Sequence, residues 1–172
     1  MTNPATRLAE RLSRRPGMER WIGPDDDVVV LQAAALAALA WPGRGLWRLP
    51  VPVMLLAGAA TVAGGAIGIA AVAPHDGRLT PRVEPPAELD LIQHGPYALS
   101  RNPIYAGLLL ATAGWALLRR RPEPAVAWVA LFAVLHAKAR REERRLHSRF
   151  GADYERYRAT TPRFLGRGRL TG

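Results

Sequence analysis

The sequence predicts an all-α fold: an integral membrane bundle of about four transmembrane helices, with a C-terminal cytoplasmic amphipathic helix. Three observations carry this. Charged residues are gathered into blocks, and the stretches between them are nearly free of charge. One of those stretches, Val51 to Ala73, runs 23 residues without a charged side chain, about 34 Å of helix and enough to cross a bilayer. None of the apolar runs shows the polar stripe at a 3.6-residue repeat that marks a helix of a soluble bundle.

The 172 residues amount to one domain's worth of chain. Residues 1–27 form a polar, basic flank without the apolar core or cleavage site of a signal peptide. Asp25, Asp26 and Asp27 stand where they would cap the following helix N-terminus. Residues 28–137 hold four apolar runs: Val28 to Trp41, Val51 to Ala73, Ile104 to Leu118 and Ala125 to Ala137. The second spans by length alone. The other three must extend into their flanks, tilt or stop short of a full crossing. Residues 138–172 return to a basic helix and tail.

The net charge is +10, and of 24 basic residues only Lys138 is a lysine. Such a charge would suit nucleic acid, but no nucleic-acid-binding motif accompanies it. Basic blocks beside apolar runs instead fit a protein held at the membrane by its cytoplasmic flanks. With four crossings and both termini in the cytoplasm, nineteen of the basic residues lie inside. Arg44, Arg48 and Arg119 to Arg121 fall outside, the triplet being the one blemish in a positive-inside pattern. A hairpin of the last two runs that does not cross as two ordinary helices would remove it. Cysteine is absent, which excludes disulfides, thiol nucleophiles and cysteine metal sites; no metal site is expected.

Small residues prepare close helix packing. Gly64 and Gly68 form a GxxxG pair, and Gly107, Ala111 and Gly114 share one face of the third run. Gly107 also stands near a helix mouth, where a missing side chain lets a ligand approach the backbone.

Two polar constellations remain. His94 to Gly107, "HGPYALSRNPIYAG", delivers a helix N-terminus: Asn102 is a favoured N-cap and Pro103 a favoured first residue. Free N–H groups and the positive dipole end then lie beside Arg101, an arrangement suited to a carboxylate or phosphate. Tyr97 and Tyr105 offer hydroxyls and aromatic faces, or simply anchor the helix at the interface. The second constellation runs from Ala137 to Phe164. Helical geometry puts Glu142, Leu146 and Phe150 on one face with Glu143 at its border, and Gly151 interrupts the helix. On these residues alone the glutamates either pair with Arg140, Arg141, Arg144 or Arg145, or serve a site. Lys138 lies one turn before Glu142 and is placed to reach the same site or pair with it.

Together the motifs are ordered: Gly95-Pro96-Tyr97, Arg101-Asn102-Pro103-Ile104-Tyr105-Ala106-Gly107, Glu142-Glu143, Phe150-Gly151 with Tyr154 and Tyr157, and Pro162-Arg163-Phe164. In these residues the chain resembles the isoprenylcysteine carboxyl methyltransferase family and its relatives, the phospholipid N-methyltransferases. Those are small integral membrane enzymes that use S-adenosylmethionine. The resemblance covers roughly the C-terminal half. Asn102 stands where the family pattern has histidine, so a role that needs an imidazole does not carry over.

The resemblance implies a cofactor pocket at the cytoplasmic membrane face, built from the loop 74–103 and completed by residues 138–172. Its lining would be His94, Gly95, Tyr97, Arg101, Asn102, Pro103, Tyr105, Gly107, Glu142 and Glu143. Arg101 and the helix mouth would meet the cofactor carboxylate, and Glu142 or Glu143 its amino group or a ribose hydroxyl. Arg101, Lys138, Glu142 and Glu143 are the candidates for catalysis. The expected acceptor is a lipid-like or prenylated group, methylated on a carboxylate. Methylation of a phospholipid amine is the alternative enzyme, and a membrane scaffold the alternative without chemistry.

Overall fold

The computed structural model describes residues 26–73 and 91–166. The basic flank, most of the loop 74–103 (including Arg78 and Arg82) and the last six residues lie outside it, as does Asp25. Every regular element among the described residues is helical. Helix α1 spans Asp26–Ala40, α2 Val51–Val72, α3 Pro103–Leu118, α4 Pro122–Phe150 and α5 Ala152–Thr160. A single 3-10 turn, Gly95–Ala98, leads into α3.

The four predicted apolar runs are therefore helices, but they are not four equal spans. Among the described residues only α2 is long and apolar enough to cross a membrane. Just 11% of its most apolar 18-residue stretch is buried inside the protein, so α2 is no core helix of a soluble bundle. Its outward side chains, Leu55, Leu56, Val62 and Ile69 among them, are exposed. Helices α1 and α3 are apolar but shorter. The fourth run is the first half of α4, which continues unbroken from Pro122 through the charged residues to Phe150. The change at residues 137–138 is one of composition along a single helix, not a break in the chain.

Helices α3 and α4 pack together at the centre, with α2 against α3 and α1 against α4. Leu39, Leu109, Leu131 and Leu135 form the core with Ala35, Ala116 and Ala127, and Trp128 and Phe164 pack onto its edge. The α2–α3 seam is backbone against backbone. A Cβ on Gly107 would lie 2.6 Å from both Gly64 O and Gly68 N, and Gly64 is equally closed in by Gly107 and Ala111. Here the predicted small-residue faces act as packing surfaces. The bare backbone of Gly107 is spent on α2 and does not face the α3 mouth.

The arginine triplet has a local use at the end of the bundle away from Glu142 and Glu143. Arg119 donates to Trp41 O (2.7 Å) and Arg121 to Pro42 O (2.9 Å), and the Leu46 N–H donates to Arg120 O (2.9 Å). Guanidinium groups thus satisfy carbonyls just past the C-terminus of α1, which helix geometry leaves without partners. At the other end of α1, Asp27 is tied to α4 through Arg141, with two hydrogen bonds of 3.0 and 3.1 Å.

Candidate functional site

Gly95 takes a positive φ of 61°, the conformation glycine tolerates best, and this starts the 3-10 turn. His94 precedes it and is exposed. The turn carries Tyr97 inward and leads to Ser100, Arg101 and Asn102 at the head of α3. Pro103 is the first residue of α3, as predicted. Asn102 holds the N-cap position, but its side chain makes no capping bond. Its Nδ2 donates instead to Glu143 Oε1 and to Arg163 O, both at 3.2 Å. The physical reason is charge: a buried carboxylate is a stronger hydrogen-bond acceptor than a neutral group, and it draws the Asn102 amide toward itself. Consequently α3 starts without a side-chain cap.

The N–H groups expected to be free at this mouth divide into two sets. Those of Arg101 and Asn102 donate to Pro162 O (2.9 Å) and Arg163 O (3.1 Å). A strap from the C-terminal tail therefore occupies them. The first intrahelical bond is Ala106 N–H to Asn102 O, so Ile104 and Tyr105 N–H have no intrahelical acceptor.

Glu142 and Glu143 are adjacent in sequence and lie in different surroundings, because successive helical residues point about 100° apart. Glu143 is buried. Arg163 grips both its oxygens in a fork, Nε to Oε1 and Nη2 to Oε2, each 2.8 Å. Arg101 Nη1 stands 3.3 Å from Oε2 and donates to the Tyr154 hydroxyl at 3.1 Å. Burial works to raise the Glu143 carboxyl, but the Arg163 hydrogen bonds and the Arg101 charge outweigh it, and its pKa lies below the usual value. The pairing weighed from sequence, with arginines of its own helix, gives way to arginines from two distant segments.

Glu142 faces the other way. It accepts from the Tyr105 hydroxyl at 2.5 Å, with Lys138 and Arg145 near enough to act on its charge. Burial dominates here and raises its pKa above the ordinary carboxylate value. Lys138 is buried and donates to Gln32 Oε1 of α1 at 3.3 Å. Its ammonium lies 5.3 Å from the centre of the Tyr105 ring. Burial and the Glu142 charge together push the Tyr97 hydroxyl up. Tyr97, Tyr105, Lys138 and Glu142 thus form one cluster, and Arg101, Asn102 and Glu143 a second beside it. Among the described residues no group of acidic side chains and histidines is placed to hold a metal ion.

Four contributors were not among the candidate residues. Tyr154 is almost fully buried against Arg101, and Tyr157 donates to Tyr97 O at 2.6 Å. Arg163 closes the strap and donates through Nη1 to His136, 3.2 Å away. A guanidinium only donates, so the imidazole accepts at Nε2. Gln32, the lone polar side chain of the first apolar run, reaches Lys138. The tyrosines and Arg163 had a signal in the sequence, the Phe-Gly-Tyr-Tyr and Pro-Arg-Phe motifs, whereas Gln32 had only its isolation.

The family comparison falls on these same elements. Residues 77–153 match the sequence model of a family described as phospholipid methyltransferase. No curated protein and no solved structure matches the chain. The matched segment holds the 3-10 turn, the α3 mouth, Lys138 and both glutamates, while Gln32 and Arg163 lie outside it. Over residues 77–153, somewhat less than half of the chain, the sequence is thus similar to the phospholipid methyltransferase family, a family of membrane methyltransferases.

Proposed function

We propose that the protein is an S-adenosylmethionine-dependent methyltransferase that acts at the cytoplasmic membrane face on a lipid-like acceptor. The observation that carries this is the unsatisfied donor set at the α3 mouth. Arg101 Nε is buried without a hydrogen-bond partner, and the α3 N-terminus beside it has no side-chain cap. An unpaired buried donor is costly, and an anionic ligand such as the cofactor carboxylate would complete both. The residues present therefore fit the cofactor. When bound, S-adenosylmethionine supplies an electrophilic methyl group that needs no metal for its transfer.

The chain's own part is binding, alignment and charge. Arg101 and the N–H groups of Ile104 and Tyr105 hold the carboxylate, with Pro103 fixing where the helix starts. Glu142 and the aromatic faces of Tyr97 and Tyr105 offer a place for a cationic group. Glu143 anchors Asn102 and the strap.

For the acceptor, the raised proton affinity of Glu142 favours an amine of a membrane lipid. An ammonium must lose a proton before it can attack, and a carboxyl tuned upward is a better base near neutral pH. The buried Lys138 ammonium favours the second reading, an acceptor carboxylate of the isoprenylcysteine type, which needs a counter-ion and no base.

Calorimetry of the detergent-purified protein with S-adenosylhomocysteine tests the cofactor reading. Binding that disappears in Arg101→Ala supports it, and no binding by the intact folded protein refutes it. Membranes incubated with methyl-labelled cofactor separate the acceptors: stable labelled phospholipid marks transfer to nitrogen, and base-labile methyl ester marks transfer to a carboxylate.

A further inference from the structure

Glu143 has two oxygens and three suitors. Arg163 takes both oxygens at 2.8 Å in a planar fork, and Asn102 adds its amide to Oε1. Arg101 is left with a longer contact of 3.3 Å to Oε2. It approaches through Nη1, the same nitrogen that bonds Tyr154, and its Nε keeps no partner at all. Without Arg163 that outcome would be unexpected. A buried carboxylate beside a guanidinium ordinarily closes into a two-point pair, because the fork geometry of both groups matches.

We infer that Arg163 is a positioning residue that saturates Glu143 and so keeps Arg101 from collapsing onto it, leaving the Arg101 donors for an anionic ligand. Arg163 is itself held from three sides. His136 accepts from its Nη1, its backbone carbonyl accepts from Asn102, and the next residue, Phe164, packs against Phe132 and His136 at ring separations of 6.1 and 6.2 Å. The Ser100 hydroxyl donates to the same carbonyl. The strap thus sets where the guanidinium sits, and the guanidinium sets how much of Glu143 remains for Arg101. A segment beyond the family-matched residues thereby governs anion affinity at the α3 mouth.

The inference rests on the proposed role of Arg101 and is tested with S-adenosylhomocysteine as the probe, by calorimetry on the intact detergent-purified protein. Arg163→Ala should weaken binding about tenfold, the scale of one charge-assisted interaction. Arg163→Ala/Glu143→Gln should recover most of that loss, since a neutral amide no longer grips Arg101. A purely structural strap would predict the reverse, a double variant at least as poor as the single one. Thermal unfolding of each variant identifies folded protein. Should Arg163→Ala not fold, Arg163→Lys, which keeps a charge but loses the fork, should bind with an intermediate deficit. Wild-type affinity in a folded Arg163→Ala or Arg163→Lys, or no recovery in the double variant, overturns the inference while the intact protein still binds. No binding by the intact protein overturns the cofactor reading and this inference together.

Discussion

Replacing Glu143 by glutamine keeps the shape of the side chain and removes the charge that two guanidinium groups share. In the wild type that carboxylate lies 2.8 Å from two nitrogens of Arg163 and 3.3 Å from Arg101. The Glu143 and Arg101 side chains are each 9% exposed, and Arg163 is 27% exposed. Breaking a fully buried ion pair by removing one partner costs about 3–5 kcal/mol. The partial exposure of Arg163 discounts this, leaving about 2–3 kcal/mol. For a chain of this size that corresponds to a fall in Tm of about 5–10 °C. The amide also turns an NH₂ group toward donors on Asn102 or Arg163, so no rotamer satisfies all of them.

The assay is thermal unfolding in detergent as a function of pH. Glu143 has a folded pKa below its unfolded value, so its stabilisation is present above the ordinary carboxylate pKa. It is lost as pH falls through the lowered one. The Tm difference between wild type and Glu143→Gln should therefore be full at neutral pH and close in acid. Equal Tm values at neutral pH, or a difference that widens in acid, would refute the clamp role of Glu143.

Gly107→Leu should separate α2 from α3, since even its Cβ would stand 2.6 Å from backbone atoms of Gly64 and Gly68. A loss of about 3 kcal/mol or failure to accumulate in membranes is expected, read by folded yield. Asn102→Ala removes the donor to Glu143 and Arg163 O and should cost about 1–2 kcal/mol, measured as a lower Tm with the α3 boundary unchanged by circular dichroism. Glu142 has a raised pKa, so methyl transfer to an amine should fall as pH drops through a limb lying above the ordinary carboxylate range. Glu142→Gln should abolish that limb in the pH–rate profile. The absence of cysteine makes single labels clean: an impermeant maleimide on intact cells should modify Arg44→Cys and spare Arg158→Cys if both termini are cytoplasmic.

Helix positions could be read directly along the chain, because apolar runs, Pro103 at a helix start and Gly151 at a helix end act through neighbours a few residues away. The same holds for Arg101, Tyr105 and the glutamate pair as site candidates. On their own these residues fit anchoring and local pairing as well as a site; the ordered motifs and the resemblance they carry mark them as candidates, and the family match to residues 77–153 covers that same stretch. Side-chain partners were a different matter. Asn102 has the right identity for a cap and is drawn away by Glu143, 41 residues on. Gly107 looked fit to admit a ligand and is closed by α2.

What the sequence alone determined was thus the local: which segments are helices, where the long apolar span lies, and which residues gather near one helix mouth. Only the tertiary structure decided how two adjacent glutamates divide, one locked by Arg163 and Arg101, the other left half-buried beside Tyr105 and Lys138. Hydrogen bonds and desolvation depend on distances between segments far apart in the chain, and Arg163, Tyr154 and Gln32 come within reach only when the helices pack.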